Sequence, residues 1–337
     1  MKLTLFLGAG FSAPFGHPVM ESFLAFADTC RGIDDDDRAF LAKLVIDARR
    51  ANSFLESSPT NIEDILSFSQ MGERLRLTSD EEPRPEARLR SILQRIYTQA
   101  PLAEDYWERY ECLERLVGSK LEGFPGGLAL VTTNYDVNAE SACYTLGVQV
   151  DPGFQFIRPQ QEPGGTVGQC YAEGGTPLYK LHGSVNWYRC DDDPGIEVED
   201  RVVSVQGLPS GSYPQLPRVC ARNYEPPSPP IIVPPSFLKP DLPAALRLVW
   251  QGAANALSKS SIVAFIGYSF PPSDTEMSYF LARSFMDNPG LRAVYVVDPR
   301  ANDIVDRLQS STSKMGSHFR NFLRPLEGDW REVTLPL

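Results

Sequence analysis

No two of the six cysteines, at 30, 112, 143, 170, 190 and 220, stand at a C-x-x-C spacing. A zinc ribbon needs paired thiolates at such spacings, and a disulfide scaffold needs cysteines dense in a short chain. Buried free thiols and no bound metal are therefore expected. No apolar run of 18 or more residues is present, so no membrane-spanning helix is expected. Basic residues are in deficit: 32 Lys and Arg against 43 Asp and Glu give a net charge of −11. That balance disfavours attraction to a phosphate backbone and argues against direct nucleic-acid binding. No internal repeat is visible. The N-terminus has one lysine and a short apolar stretch ending in glycines, which suits a strand better than a signal peptide, and a cytoplasmic location is expected.

What is present is an ordinary globular composition, 42% hydrophobic and 22% charged over 337 residues, enough to bury a large core. The chain opens on Leu3-Thr-Leu-Phe-Leu-Gly-Ala-Gly-Phe-Ser-Ala-Pro-Phe-Gly16, a buried-strand pattern running into a glycine turn and a helix-like segment. Gly8 and Gly10 permit a tight turn and close backbone approach, and Gly8-Ala-Gly-Phe-Ser-Ala13 fits the looser form of the dinucleotide fingerprint, so Gly8, Ala9, Gly10 and Ser12 are candidate phosphate contacts. The unit that normally follows is missing. Residues 20–30 and 38–51 read as helices, and no apolar strand precedes the carboxylates of residues 34–37. A hydride-transferring dehydrogenase is disfavoured on that ground. The four aspartates are read as a solvated helix start.

Helical spacing dominates from residue 18 to 121, with a capping box in Thr60-Asn-Ile-Glu63 and a charged, proline-rich loop over 79–85. Residues 17–123 are thus expected to be a helical insertion after the first strand, within a single domain spanning 1–337. Strand patterns return at 128–133, 178–181, 262–266 and 293–297, with a helix between at 137–146. Each strand ends in a small polar cluster: Thr133-Asn-Tyr-Asp136, His182-Gly-Ser184, Gly267-Tyr-Ser269 and Asp298-Pro299. Open α/β sheets bind ligands at strand C-termini, which makes these clusters convergent candidates. The proline-rich stretch 213–243 is read as a stiff surface connection.

Gly8-Ala-Gly-Phe-Ser12 with Gly16-His-Pro18, followed by the four strand-end clusters in order, resembles the sirtuin series of motifs. Ile232-Val-Pro-Pro-Ser-Phe-Leu-Lys239 and Asn61-Ile-Glu63 are similar to the sirtuin-like NAD hydrolases of bacterial antiphage defence. The resemblance implies an α/β fold with a Rossmann-like parallel sheet of sirtuin type and NAD as substrate. It implies that Asn134 and His182 are catalytic, and that Thr133, Asp136, Gly267, Ser269 and Asp298 bind the dinucleotide. An imidazole is a suitable base at neutral pH, and an uncharged amide can position a hydroxyl or water. Asp136 is open to two readings, a contact on the nicotinamide side or a helix cap. His17 is read as locally structural, and His318 carries no signal.

Two departures from the deacylase pattern, the missing C-x-x-C pairs and Gly16-His-Pro-Val-Met-Glu21 in place of the Gly-Ile-Pro-Asp-Phe-Arg run, favour NAD hydrolysis. An NAD-dependent deacylase or ADP-ribosyl transferase and a non-catalytic NAD- or ADP-ribose-binding subunit are the alternatives. The same resemblance implies a homo-oligomer and a HerA-type ATPase or Argonaute-like partner.

Overall fold

The computed structural model describes residues 1–52, 62–75, 85–99, 106–124, 127–157, 170–189, 196–198, 230–234, 242–272, 274–310 and 317–337. Its strands, in chain order, are β1 (Leu3–Leu7), β2 (Leu128–Thr132), β3 (Val150–Asp151), β4 (Phe156–Ile157), β5 (Thr176–Lys180), β6 (Trp187–Arg189), β7 (Ile196–Val198), β8 (Ile262–Ile266), β9 (Ala293–Asp298) and β10 (Leu323–Glu327). Seven of them form one sheet in the order β10-β9-β8-β1-β2-β5-β3, and every pairing in it is parallel. β4, β7 and β6 make a small second sheet. The expected strands are all present, to within two residues at their ends.

All five residues of β1, β2 and β8 are buried, the signature of central parallel strands covered on both faces. Thr4 is the polar residue in β1, and its hydroxyl is satisfied by Ser260 Oγ at 2.6 Å. β10 carries Pro325 and is mostly exposed beyond Leu323, as suits an edge strand.

The helices are α1 (Ala9–Ser12), α2 (Phe23–Thr29), α3 (Asp35–Asn52), α4 (Ile62–Arg74), α5 (Pro85–Gln99), α6 (Tyr106–Val117), α7 (Asn138–Thr145), α8 (Ala244–Ser258), α9 (Thr275–Met286), α10 (Ala301–Gln309) and α11 (Ser317–Arg320). α2 to α5 supply a second apolar cluster, including Phe23, Leu41, Leu66, Leu89 and Ile96, which also takes in Tyr135, Val185 and Ile232 from the strand-end loops. α6 differs from its neighbours in the expected insertion. Its Tyr110, Leu113 and Leu116 belong to the main core beside the sheet, with Tyr110 packed on Phe15 at 4.8 Å between ring centres. Among the described residues no helix is long and apolar enough to cross a membrane.

Two expectations need amending. The aspartate run does start a helix, with Asp34 Oδ1 accepting from Asp37 N at 2.8 Å, and Asp35 and Asp36 are exposed. Asp37, however, is buried and paired with Arg88, at 3.0 Å, and Arg95 of α5, so it ties two helices together. Within the proline-rich stretch, residues 230–234 are no surface connection: Ile232 and Val233 are buried, and the segment bonds to the loop after β5 through Ser184 N to Ile231 O and Val233 N to His182 O, both 2.9 Å. Residues 213–229 and 235–241 of that stretch, Thr60 and Asn61 of the capping box, and loop residues 79–84 lie outside the described residues.

Register sets the level of the site. Leu7 is paired with both Thr132 and Ile266, Thr132 with Lys180, and Ile266 with Val297. Gly8, Thr133, Leu181 and Gly267 therefore leave the sheet at one height, level with Asp298 at the end of β9. β1 is flanked by β2 on one side and β8 on the other, so the chain reverses direction across the sheet there, which is where open α/β sheets form a ligand crevice.

The β1 and β8 loops cross backbone to backbone. Gly10 N donates to Gly267 O at 2.9 Å, and a Cβ on Gly267, at φ +61°, would lie 2.4 Å from Gly10 C. Gly123 has a similar φ of +65° with nothing within 4 Å of its would-be Cβ. Alanine at either position bears the left-handed strain of about 1–2 kcal/mol. Gly267→Ala is expected to lose about 1–3 kcal/mol more than Gly123→Ala from the forced overlap, read from urea denaturation of the two variants.

Candidate active site

The crevice above the ends of the central strands has a volume of about 300 Å³. Ala9, Gly10, Ser12, Thr133, Asn134, Asp136, His182, Gly267, Ser269 and Asp298 all line it. Gly8 lies beneath the lining. Its N–H donates to Ile266 O at 2.9 Å, and a Cβ there would fall 2.5 Å from Gly267 O. The turn after β1 has fewer open amides than its sequence suggests, because Gly10 N bonds Gly267 O and Phe11 N bonds Gly8 O.

Asn134 is held by three contacts. Thr132 Oγ1 donates to Leu7 O at 2.8 Å and accepts from Asn134 N at 3.0 Å, while Asn134 Nδ2 donates to Gly8 O at 2.8 Å and Ser12 Oγ at 2.9 Å. A backbone carbonyl can only accept, so the amide orientation is determined by the bond to Gly8. Both donors are thereby committed within the protein. The amide oxygen is the group left for a ligand, a narrower role than donating and accepting together.

His182 follows β5 by two residues. Gly183, at φ +80°, lets the 230–234 segment pass: a Cβ there would sit 1.9 Å from Ile231 O. The His182 ring lies 6.3 Å, centre to centre, from both Tyr135 and Trp250. Those neighbours are themselves anchored, Tyr135 Oη to Val233 O at 2.7 Å and Trp250 Nε1 to Leu181 O at 2.8 Å. The imidazole is thus carried on a loop braced from two sides and faces the crevice with partial exposure.

Asp136 Oδ1 accepts from Asn138 N at 3.0 Å at the start of α7, while Oδ2 is buried without a partner. Below it lies a group that sequence reasoning misses. Lys180 Nζ, fully buried, donates to Asp136 O and to Glu140 Oε1 at 2.8 Å, and Tyr171 Oη donates to the same Glu140 oxygen at 2.7 Å. A lysine closing an apolar strand is the available signal.

His17 lines the crevice, is 7% exposed, stacks on Tyr97 at 5.5 Å, and leaves Nδ1 without a partner. Burial lowers its pKa from the usual 6.5, with Asp136 opposing and Lys180 adding to the shift, so the ring is uncharged at neutral pH. Burial, with Asp136 second, holds the Tyr97 phenol protonated.

The far end is formed by the β8 and β9 loops. Phe270 takes the left-handed conformation at φ 51°, packed against Phe265 and Tyr268 and held at its carbonyl by Arg307 at 2.9 Å. That turn presents Ser269. Asp298 Oδ1 accepts from Arg300 N at 2.8 Å, and Arg300 also lines the crevice. Five carboxylates, on Glu21, Glu63, Asp136, Asp274 and Asp298, share this lining with Arg300 and two histidines. Among the described residues no group of His, Cys, Asp and Glu is placed to hold a metal ion.

A parallel sheet with its crevice at the reversal point and glycine backbones crossing beneath it defines a Rossmann-like α/β ligand-binding protein. A family model described as a SIR2-like domain matches residues 128–319, more than half of the chain, and the chain belongs to that family. No curated protein matches it. Solved structures similar to it include a Sir2 homolog in complex with NAD, at 13% identity over 98% of this chain and 85% of the other with a TM-score of 0.43. Another is Sir2Tm bound to a propionylated peptide, at 15% identity over 98% and 89% with a TM-score of 0.36.

The buried charges lead to two measurable outcomes. Lys180→Met strands the Glu140 carboxylate and is expected to lose about 3–5 kcal/mol, whereas the double variant Lys180→Met with Glu140→Leu regains most of it in the same denaturation assay. His17 has a folded pKa below its unfolded value, so its contribution is full above about pH 6.5 and is lost as pH falls from there through the folded pKa. The stability difference between wild type and His17→Phe should therefore shift against wild type on acidification. Melting temperatures across pH 8 to 5 would reveal it, and parallel curves would contradict the assignment.

Proposed function

We propose that this chain hydrolyses NAD at the nicotinamide–ribose bond, giving nicotinamide and ADP-ribose. The observation that carries the reading is the convergence, at one level of the sheet, of the Asn134 amide oxygen, the His182 imidazole and the unpartnered Asp136 Oδ2 in a single crevice. The carbon–nitrogen bond at ribose C1′ breaks with its electron pair going to the pyridinium nitrogen, so nicotinamide leaves neutral and needs no proton donor. The sugar becomes oxocarbenium-like and cationic. Five lining carboxylates provide a favourable field for that charge. Water then bonds to C1′ as His182 takes its proton and later releases it to solvent, while Asn134 Oδ1 accepts from a ribose hydroxyl or the water.

The diphosphate is assigned to the turn bearing Ala9 and Ser12 and to Ser269, and the adenosine ribose to Asp298. A carboxylate there accepts ribose hydroxyls and repels a 2′-phosphate, which supports NAD over NADP. Water as the acceptor, in preference to an acylated lysine, is supported by the absence of C-x-x-C pairs from the sequence and by Gly16-His-Pro-Val-Met-Glu21. Its similarity to antiphage NAD hydrolases supports a role in defence by NAD depletion, with control through self-association or a HerA-type ATPase or Argonaute-like partner.

His182→Ala and Asn134→Ala are each expected to lower nicotinamide release from NAD by about 10²- to 10⁴-fold. Circular dichroism should show both variants folded. Chromatography of the products from NAD alone is the test, and near-wild-type turnover in His182→Ala would refute the mechanism.

A further inference from the structure

We propose that Arg307 is a positioning residue for the ligand's diphosphate: its guanidinium draws the carbonyls of Ser269 and Phe270 out of the crevice, so that the loop after β8 can receive an anion. Arg307, in the last turn of α10, donates from Nη1 to Phe270 O at 2.9 Å and from Nη2 to Ser269 O. It stands outside the crevice lining, to which Gly267, Tyr268, Ser269 and Pro271 all belong. Both oxygens are therefore turned away from the space a ligand would fill.

Neighbouring carbonyls of an extended chain point in opposite directions, so one planar fork can hold two in succession only where the residue between them turns. Phe270, at φ 51°, is that residue, and its ring packs at 4.6 Å from Phe265 and 4.9 Å from Tyr268. A left-handed phenylalanine is unfavourable by itself and persists only where its surroundings hold it. Arg307 and the aromatic cluster supply that hold.

The consequence for a ligand is electrostatic. A carbonyl oxygen only accepts, and facing a diphosphate it would repel it. In a trans peptide the N–H points opposite to the carbonyl, so turning Ser269 O towards Arg307 aims the Phe270 N–H away from it. The amides of Gly10 and Phe11 are already bonded within the loops, which leaves more of the diphosphate's binding to this side of the crevice. Charge acts in the same sense. Five carboxylates line the crevice, and Arg300 is the arginine among its described lining residues. Burial, and after it the Arg300 charge, lower the Arg307 pKa, so two guanidinium groups lie close together at this end. The inference rests on the reading of the ligand as a dinucleotide, and gives Arg307 no part in bond cleavage.

The experiment is a ligand-observed NMR titration of the full chain with ADP-ribose, which carries the diphosphate, and with adenosine, which does not. Wild type is compared with Arg307→Met, which keeps a stem without donors, and Arg307→Lys, which keeps the charge without the fork, once circular dichroism has shown all three folded. Arg307→Met is expected to weaken ADP-ribose about tenfold, the scale of one charge-assisted hydrogen bond, and to leave adenosine unchanged. Arg307→Lys should stay within about threefold of Arg307→Met, because an ammonium cannot span both carbonyls. In NAD turnover the loss should appear in KM, with kcat within about twofold of wild type. Equal weakening of both ligands would mean a general loosening of the fold, and full recovery in Arg307→Lys would mean that charge alone acts; either overturns the proposal. If Arg307→Met loses ADP-ribose selectively but wild type releases no nicotinamide from NAD, the hydrolase reading falls and the positioning assignment stands. If NAD is hydrolysed and Arg307→Met binds ADP-ribose as wild type does, the positioning assignment falls and the hydrolase reading stands. A wild type that binds no ADP-ribose also overturns the positioning assignment.

Discussion

Parallel, in-register pairing of the central strands is the constraint on which the rest depends. Because Leu7, Thr132 and Ile266 are mutually aligned through β1, the turns that follow them emerge side by side. Three glycines then permit what the alignment demands, since side chains at 8, 10 or 267 would overlap the neighbouring loop's backbone. Asn134 exploits the closeness by bonding Gly8 and Ser12 across the gap. One geometric fact thus sets the floor of the crevice and the orientation of its central amide.

A second layer of control is electrostatic and lies out of the solvent. Lys180 and Glu140 are both completely buried, an arrangement that only holds when the charges are paired and further bonded. Lys180 also grips the carbonyl of Asp136, linking the pair to the loop that faces the crevice. The helices α2 to α5 act on the same loop from above, through an apolar cluster that includes Tyr135 and Val137. The loop after β2 is therefore gripped from both sides, which holds the groups it presents to the crevice in fixed positions.

Much of this is legible in the residues. Apolar runs ending in polar clusters locate the strands and the strand-end part of the crevice, and Gly8-Ala-Gly-Phe-Ser12 marks where the chain turns beneath it. Less legible are His17, Asp37, Lys180 and the segment 230–234. Their sequence surroundings suggest nothing beyond local or solvated roles, yet each bonds or packs against residues distant in sequence: Asp37 with Arg88 and Arg95, Lys180 with Glu140, and Val233 with His182. α6 illustrates the same point for packing. Its periodicity matches that of α3 to α5, yet it joins the main core rather than theirs.

By itself, then, the sequence determined the α/β class, the strand positions, the strand-end clusters and the glycine turn, because hydrophobic period and backbone freedom are properties of short stretches. Tertiary structure decided which side of Asn134 faces a ligand, which Asp136 oxygen remains unpaired, and whether His17 is solvated or buried. These depend on partners such as Gly8, which lies 126 positions from Asn134 and touches it only after the sheet has formed. Hydrogen-bond commitment and desolvation are non-local quantities, and no window of sequence contains both halves of them.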